Sequence, residues 1–547
     1  MESQFDRRKL LKAGVAGITA AAMQHRRSAG QDRLDGLADV PDMSVDAQRR
    51  RGERMLLEAT RFGDRFYDEN AGLIVRQESG PEFRHQTKFS GGWVAWRSPE
   101  YAIALLETGR NLPRANRLIS RICEHVERDA GEPTFGNAYG ISEWNAVRDT
   151  NAIVFLVFKL APVWLKHRDR LEPEVRSRLR ALLETGAVGL VRRAPIWFYS
   201  NIFLMTVAGT LMLARILDRK DLATLASQQW RRWLDRTSEN SLVEYNSPAY
   251  YLYQICPTLA VAEYAVSKQM NAQARQVADF MLILLAGNYH LPSRSLGGTT
   301  CRAYMVNALE STGSYELLMH YYFGVPWPER WTGEPGDDDT PLEGAVITPY
   351  PHEPCELARK LVWQRSYPDT LVTRYGSFFG KDDEPVVVTC TSYQTADMSI
   401  ASQRGVWSHY HQELPLHIVY RSRDARRSVF LRGGPSNCLI DSHFVQDGTR
   451  MLGITYWNPL DWQALKLWWP DGPPFRAEHH LYLGRAEDFH SVKLDGERFE
   501  GEMEVGPDST IEIVKPDLWL RLRSVAPPAP VSCFSRNWRI GPFELHL

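Results

Sequence analysis

Two textures divide the chain. From about residue 51 to 325, apolar positions recur at three- and four-residue spacing, in segments of roughly 12–20 residues joined by short polar connections. Clear examples lie at 101–106, 152–164, 175–191, 201–217, 222–234, 251–265, 272–285 and 304–323. The pattern predicts about nine to twelve helices with no strands between them. A superhelical solenoid needs a repeat of fixed length, and none is found, so a closed (α/α) toroid of helical hairpins is the expected architecture for 51–325. Pro326-Trp327-Pro328 and the Gly-, Pro- and Asp-rich stretch that follows read as a linker over 326–345. Beyond it the runs become short and β-branched, at 371–375, 386–389, 416–420, 428–431, 453–456 and 510–514. Asp447-Gly448, Asp471-Gly472 and Asp495-Gly496 punctuate them as turns. An antiparallel β-sandwich is expected over 346–547.

The first fifty residues fit neither texture. Arg7-Arg8-Lys9-Leu10-Leu11-Lys12 precedes a short run of Ala, Gly and other small residues. This resembles a twin-arginine export signal over residues 1–30, which implies a periplasmic or secreted protein. The run is too short to span a bilayer as a stable helix, and no other stretch reads as a membrane span. Residues 31–50 are polar and poorly periodic, and are expected to form a loosely docked arm.

Bulk composition narrows the function by exclusion. A formal net charge of −1 gives no global attraction to nucleic acid or anionic membrane. The 7 cysteines show no CxxC spacing, which removes zinc ribbons and thioredoxin-type redox sites, and they read as small buried residues. No GxxxxGK[ST] loop and no GxSxG elbow occur. The 17 Trp and 22 Tyr serve a large core, and such flat rings with polar rims also suit sugar faces.

Five segments concentrate polar and aromatic groups at helix starts, in a Gly-rich loop or in the β region. Glu143-Trp144-Asn145, with Arg148-Asp149 after it, opens a strongly apolar helix. Trp197-Phe198-Tyr199-Ser200-Asn201 opens another; Ser200 or Asn201 would make a good N-cap, and amides there also favour an anion. Glu244-Tyr245-Asn246-Ser247-Pro248-Ala249-Tyr250-Tyr251-Leu252-Tyr253 crowds tyrosines around a helix-starting Pro. Further on, His290, Arg294, Arg302 and Tyr304 surround a Gly-rich loop, where arginine forks suit carboxylates. In the β region, His409 and His411 would share one sheet face. Two histidines without a third ligand do not define a metal site, so no cofactor is required and a structural divalent metal has no support.

Helical toroid first and β-sandwich second resembles the two-domain polysaccharide lyases of the heparinase II/III-like and toroid alginate lyase group. The resemblance spans most of the mature chain as architecture. It implies β-elimination on an acidic, uronate-containing polysaccharide. The C5 proton of a uronate is a weak acid unless amide, Arg or His donors neutralise the adjacent carboxylate. A Tyr or His then takes the proton, and a Tyr returns one to the leaving oxygen. The expected catalytic set is Tyr250, His411, Asn201, Arg302 and Glu244. Trp144, Asn145, Trp197, Tyr199, Asn246, Tyr253, His290, Arg294, Tyr304 and His409 are the expected substrate contacts. Many toroid lyases carry a His close after the carboxylate-binding Asn, whereas Ile202 follows Asn201 here. Either neutralisation has moved to other residues, or the chemistry differs.

Two other readings stay open. An inverting glycoside hydrolase needs two carboxyls about 6.5–9.5 Å apart, for which Glu143, Asp149 and Glu244 are candidates. A non-catalytic glycan-binding protein would use the aromatic surfaces alone.

Overall fold

The computed structural model describes residues 23–32, 40–75, 92–144, 146–193, 196–303, 313–327, 340–377, 386–405, 413–421, 426–433, 441–456, 479–483, 491–498, 501–504, 510–515, 518–525, 537–540 and 543–546. Ten helices of ten or more residues occupy the first part of them: α1 Val45–Phe66, α2 Ser98–Thr108, α3 Leu112–Glu124, α4 Ala152–His167, α5 Pro173–Arg193, α6 Ser200–Leu217, α7 Lys220–Asn240, α8 Leu252–Glu263, α9 Lys268–Asn288 and α10 Ser314–Phe323.

Their burial patterns say how they are layered. Along α7 the buried residues are Leu222, Ala226, Trp230, Trp233 and Thr237, a single stripe at three- and four-residue spacing. Each large apolar side chain on that stripe contributes roughly 1.5–3 kcal/mol by leaving water. By contrast α6 is buried from Ser200 through Ala214 and α8 from Leu252 through Ala262, so both are enclosed on all sides. Packing runs α2–α4–α6–α8 through the interior, α8 touches α10, α10 touches α1, and α1 returns to α2. The amphipathic helices α3, α5, α7 and α9 each pack against one or more of those inner helices or against one another. Among the described residues, α6 is the one helix long and apolar enough to cross a membrane, and most of it is buried in this core.

Two boundaries differ from expectation. The helix α1 starts at Val45, inside the stretch expected to be a loose arm, because Ser44 accepts a hydrogen bond from Ala47 N at 3.3 Å and caps it. The end of the expected linker (326–345) and the start of the expected β-sandwich region (from 346) are helical instead. Thr340–Glu343, α11 (Gly344–Ile347) and α12 (Glu356–Trp363) insert Leu342, Ala345, Val346, Ile347 and Trp363 into the helical core. The Gly and Pro content that suggested a linker conceals this apolar run.

Sheets follow the helices. An eight-stranded antiparallel sheet has the spatial order Met23–Asp32, Tyr367–Ser377, Val386–Gln394, Met398–Arg404, Leu416–Arg421, Arg426–Gly433, His479–Leu483 and Gly501–Glu504. Its first strand comes from the N-terminal stretch, with Met23 opposite Thr373. A second sheet runs Asp441–Asp447, Arg450–Tyr456, Leu518–Val525, Thr510–Lys515, Ser491–Leu494 and Glu497–Arg498. It is mixed rather than antiparallel, since Arg450–Tyr456 and Leu518–Val525 run parallel. A long crossover separates those two strands in sequence, and this lets the chain return in the same direction. Ile400, Ile418 and Leu431 of the first sheet share a hydrophobic cluster with Phe444, Ile513 and Leu522 of the second.

The helical part and the first sheet meet around residues 286–301. Tyr245 stacks on Tyr375 with ring centroids 3.9 Å apart, and its hydroxyl donates to Gln403 Oε1. Gln394 Nε2 donates to Gly287 O at 3.2 Å, His417 Nδ1 contacts Gly298 O at 3.0 Å, and Glu413 pairs with Cys301. The loop that carries Arg302 is therefore braced from the sheet side.

Candidate active site

The starts of α4, α6 and α8 and the strand Thr300–Cys301 bring one polar cluster together. At its centre is Glu244, in the connection from α7 to α8, with 1% of its surface exposed. Its Oε2 accepts from Asn201 N at 2.9 Å, and its Oε1 lies 3.4 Å from Asn201 Nδ2. Tyr199 holds the cap position of α6 but makes no side-chain cap bond. Glu244 takes that role from a neighbouring loop, which places a negative charge at the positive end of the helix. Ser200 and Asn201, read from sequence as caps, are the first residues of the helix instead. Burial pushes the Glu244 carboxyl up to about 7, while Arg302 and the backbone amides of Asn201 and Ser200 pull it back.

Arg302 joins this carboxyl to two phenols. Its Nε stands 3.3 Å from Glu244 Oε1 as an ion pair. Its Nη2 donates to Tyr199 Oη at 3.1 Å and to Tyr250 Oη at 3.5 Å, and its guanidinium carbon is 5.1 Å from both ring centroids. Arg302 holds a left-handed backbone (φ 53°), a conformation that costs energy for a non-glycine residue. Burial raises the Tyr199 phenol well above its ordinary value, against the pull of Arg302. Tyr199 and Tyr250 are half-buried.

Asn246 holds the Arg302 loop in place. Its Nδ2 donates to Gly297 O at 3.1 Å and to Thr299 O at 2.6 Å, and its Oδ1 accepts from Tyr251 Oη at 3.3 Å. Replacing Asn246 by Ala leaves two buried carbonyls unserved and keeps a positive φ of 45° that Ala disfavours. We expect a loss of about 2–4 kcal/mol in a denaturant titration; a change below about half a kilocalorie would contradict the clamp.

Several residues expected to touch substrate face inward. His290 is fully buried, its Nδ1 against Ser293 Oγ at 2.8 Å and its Nε2 against Thr395 O at 2.9 Å, and burial pushes its imidazole down to about 4. It ties the loop to the sheet. Asn246 serves the loop, and Tyr253 is buried with its hydroxyl 3.4 Å from Glu343 Oε1. Trp197 is buried, edge-on to Phe198 and under Arg236. The Asn201 amide is turned to Glu244 and is fully enclosed. Arg294 stands exposed in the turn between His290 and Ser295, and Trp144 is half-buried beneath Arg148. Asn145, Tyr304, His409 and His411 lie outside the described residues.

Arg193, which the sequence did not single out, and Asp149, a carboxyl candidate from the sequence, also contribute. Arg193, at the end of α5, donates through Nη2 to Asn151 Oδ1. Asp149, whose Oδ1 accepts from Asn151 N at 2.8 Å, is held above the usual carboxylate range by burial, with Arg193 and Arg302 among the opposing influences. A second buried network lies beside Tyr253. In it Lys159 Nζ donates to Glu100 Oε1 at 2.5 Å and Arg97 Nη1 to Glu343 Oε1 at 3.0 Å. No group of three or more His, Cys, Asp or Glu suited to a metal occurs among the described residues.

Fold and site together define a protein with a helical first part and a sheet-rich second part, carrying a carboxyl–arginine–tyrosine cluster at helix N-termini. Residues 53–325, the helical part, match the family described as Domain of unknown function (DUF8769). A comparison with curated proteins returned no match.

Proposed function

We propose that this chain is an exported polysaccharide lyase that cleaves a uronate-containing glycan by β-elimination, with its helices forming an (α/α) toroid and its sheets a β-sandwich. The observation that carries this reading is the Arg302 guanidinium set against the hydroxyls of Tyr199 and Tyr250, with Glu244 behind it. A tyrosine acts as a base only when a neighbouring cation stabilises its phenolate. Tyr250, half-exposed beside Arg302, meets that condition. In the proposed reaction Tyr250 takes the C5 proton, the C5 electron pair forms the C4–C5 double bond, and the C4–O bond breaks. Tyr250 then delivers the proton to the departing oxygen. Arg302 stabilises the negative charge that builds on the uronate carboxylate, a task first expected of Asn201.

Glu244 is enclosed and engaged by Asn201 and Arg302, so it suits a positioning role better than that of a hydrolase acid meeting a glycosidic oxygen. Glu143 is exposed and accepts from Ser142 Oγ at 3.0 Å. The twin-arginine-like N-terminus supports export. The test is ultraviolet absorbance of the protein incubated with a panel of uronate polysaccharides. Rising absorbance from a C4–C5 unsaturated product, abolished in Tyr250→Phe, supports the reading. New reducing ends without that absorbance would establish a hydrolase, and binding without either product a glycan-binding protein.

A further inference from the structure

One stretch of the chain is claimed twice. The twin-arginine-like leader is expected over residues 1–30, yet Met23–Asp32 is the first strand of the eight-stranded sheet. Residues 1–22 lie outside the described residues. The strand runs antiparallel to Tyr367–Ser377, with Met23 opposite Thr373, Arg27 opposite Asp369 and Asp32 opposite Tyr367. A leader that is cut away cannot also supply a strand of the mature sheet. The position of the cut therefore decides whether the sheet keeps this strand.

Peptidases that remove leaders demand small side chains one and three residues before the bond they hydrolyse. Two runs meet that demand, Ala20-Ala21-Ala22 and Ser28-Ala29-Gly30. Cutting after Gly30 removes every backbone partner from Met23 to Arg27 and leaves only Asp32 opposite Tyr367. Cutting after Ala22 keeps the whole strand, which begins at the very next residue. What the strand covers points the same way. Tyr367–Ser377 pairs on its other side with Val386–Gln394, so without Met23–Asp32 it becomes the edge of the sheet. It carries Tyr375, stacked on Tyr245, and Leu371, packed against Gly287 of α9. An edge of 11 residues with open N–H and C=O groups invites pairing with other chains. Met23–Asp32 makes a safer edge, since it is mostly polar and carries His25, Arg26, Arg27 and Asp32.

We infer that the chain is processed at the Ala22–Met23 peptide bond, and that Met23–Asp32 is the N-terminal edge strand of the mature protein. A signal peptidase hydrolyses that amide: one water adds, leaving a carboxylate on Ala22 and an ammonium group on Met23. The small and apolar residues from Ala13 to Ala22 form the leader's hydrophobic segment, and His25-Arg26-Arg27 belongs to the mature strand. The inference rests on the proposed export for the cut, and on the sheet pairing for its position.

The experiment is expression of the full chain in a bacterium with a twin-arginine export route, then cell fractionation, intact mass and N-terminal sequencing. We expect chain outside the cytoplasm to begin at Met23. Ala22→Arg should abolish the cut and leave the leader attached. Arg7→Lys combined with Arg8→Lys should hold the chain inside with its leader intact. Exported chain that begins at Gln31, or anywhere else but Met23, or that keeps its leader, would overturn the cut and leave export standing. Chain that stays inside unprocessed would defeat the export reading and the cut together. The strand is tested by hydrogen exchange on purified chains beginning at Met23 and at Arg33. Amides of 367–377 should exchange faster by about tenfold or more in the shorter chain. Should that chain not fold, Gln24→Pro combined with His25→Pro in the longer one removes adjacent N–H donors and should raise the same exchange. Exchange equal to that of the chain beginning at Met23 would overturn the strand's place in the mature sheet.

Discussion

If the chain is the proposed lyase, replacing Tyr250 by Phe is expected to lower the elimination rate by about a thousandfold while substrate binding changes little. General acid–base groups contribute about 10²–10⁴ in rate, and Tyr250 is assigned both halves of the proton transfer. The phenol ring stays, so its 6.4 Å edge contact with Tyr253 and its position over Arg302 are kept. Arg302→Ala should cost at least as much, because it removes the cation that stabilises the phenolate and also leaves Glu244 buried without its counter-ion. Arg302→Lys should recover little, since one ammonium cannot meet Glu244 and two phenols in the same fork geometry. Steady-state rates with thermal melts as a folding control check all three. A Tyr250→Phe enzyme within tenfold of the parent would remove Tyr250 from the chemistry.

The second large effect concerns stability and pH. Burial holds the Glu244 carboxyl near 7 against an ordinary 4.5. The folded chain therefore prefers the protonated form more than the unfolded chain does. The contribution of that preference is complete below the unfolded value and is lost as the pH rises through about 7. Glu244→Gln fixes a neutral isostere that still accepts from Asn201 N. We expect parent and variant to melt alike near about pH 5, and the variant to gain on the parent by roughly 3 kcal/mol by about pH 8. Activity should move the other way, because Arg302 loses the carboxylate that orients it. A stability difference that stays flat between those pH values would contradict the buried, perturbed carboxyl.

How far the sequence foretells this structure depends on the interaction in question. Periodicity located α4 to α9 and the strands at 371–375, 386–389, 416–420, 428–431, 453–456 and 510–514, because each forms from local patterning and turn chemistry. Asp447-Gly448 and Asp495-Gly496 lie at hairpin turns with left-handed glycines, as their sequence implied. The strand Met23–Asp32 was not legible, since a polar edge strand gains its stability from a partner more than 300 residues away. Nor was the parallel pairing of Arg450–Tyr456 with Leu518–Val525, which is a property of chain path.

The site shows the same division. Tyr199, Asn201, Glu244 and Tyr250 near helix starts, and Arg302 in a Gly-rich loop, stood out as chemistry-bearing types, and the fold brings these five together. Which of their neighbours face inward was hidden, because His290, Asn246 and Tyr253 carry the same side-chain chemistry whether they meet a sugar or the protein's own carbonyls. Arg193 gave no signal: it closes an ordinary amphipathic helix, and only the packing of α4 against α5 turns it toward Asn151. Glu244 as the remote cap of α6 was equally invisible, being a contact across 43 residues.

The most direct test of the central claim is the mass of the products released from a uronate-containing polysaccharide by the purified protein. Elimination breaks the C4–O bond without adding water, so the fragment carrying the new non-reducing end is lighter by one water molecule than the hydrolytic fragment of the same length. The account predicts that lighter series, present with the parent and absent with Tyr250→Phe. A series at the full hydrolytic mass, surviving in Tyr250→Phe and lost on changing Asp149 or Glu143, would contradict it.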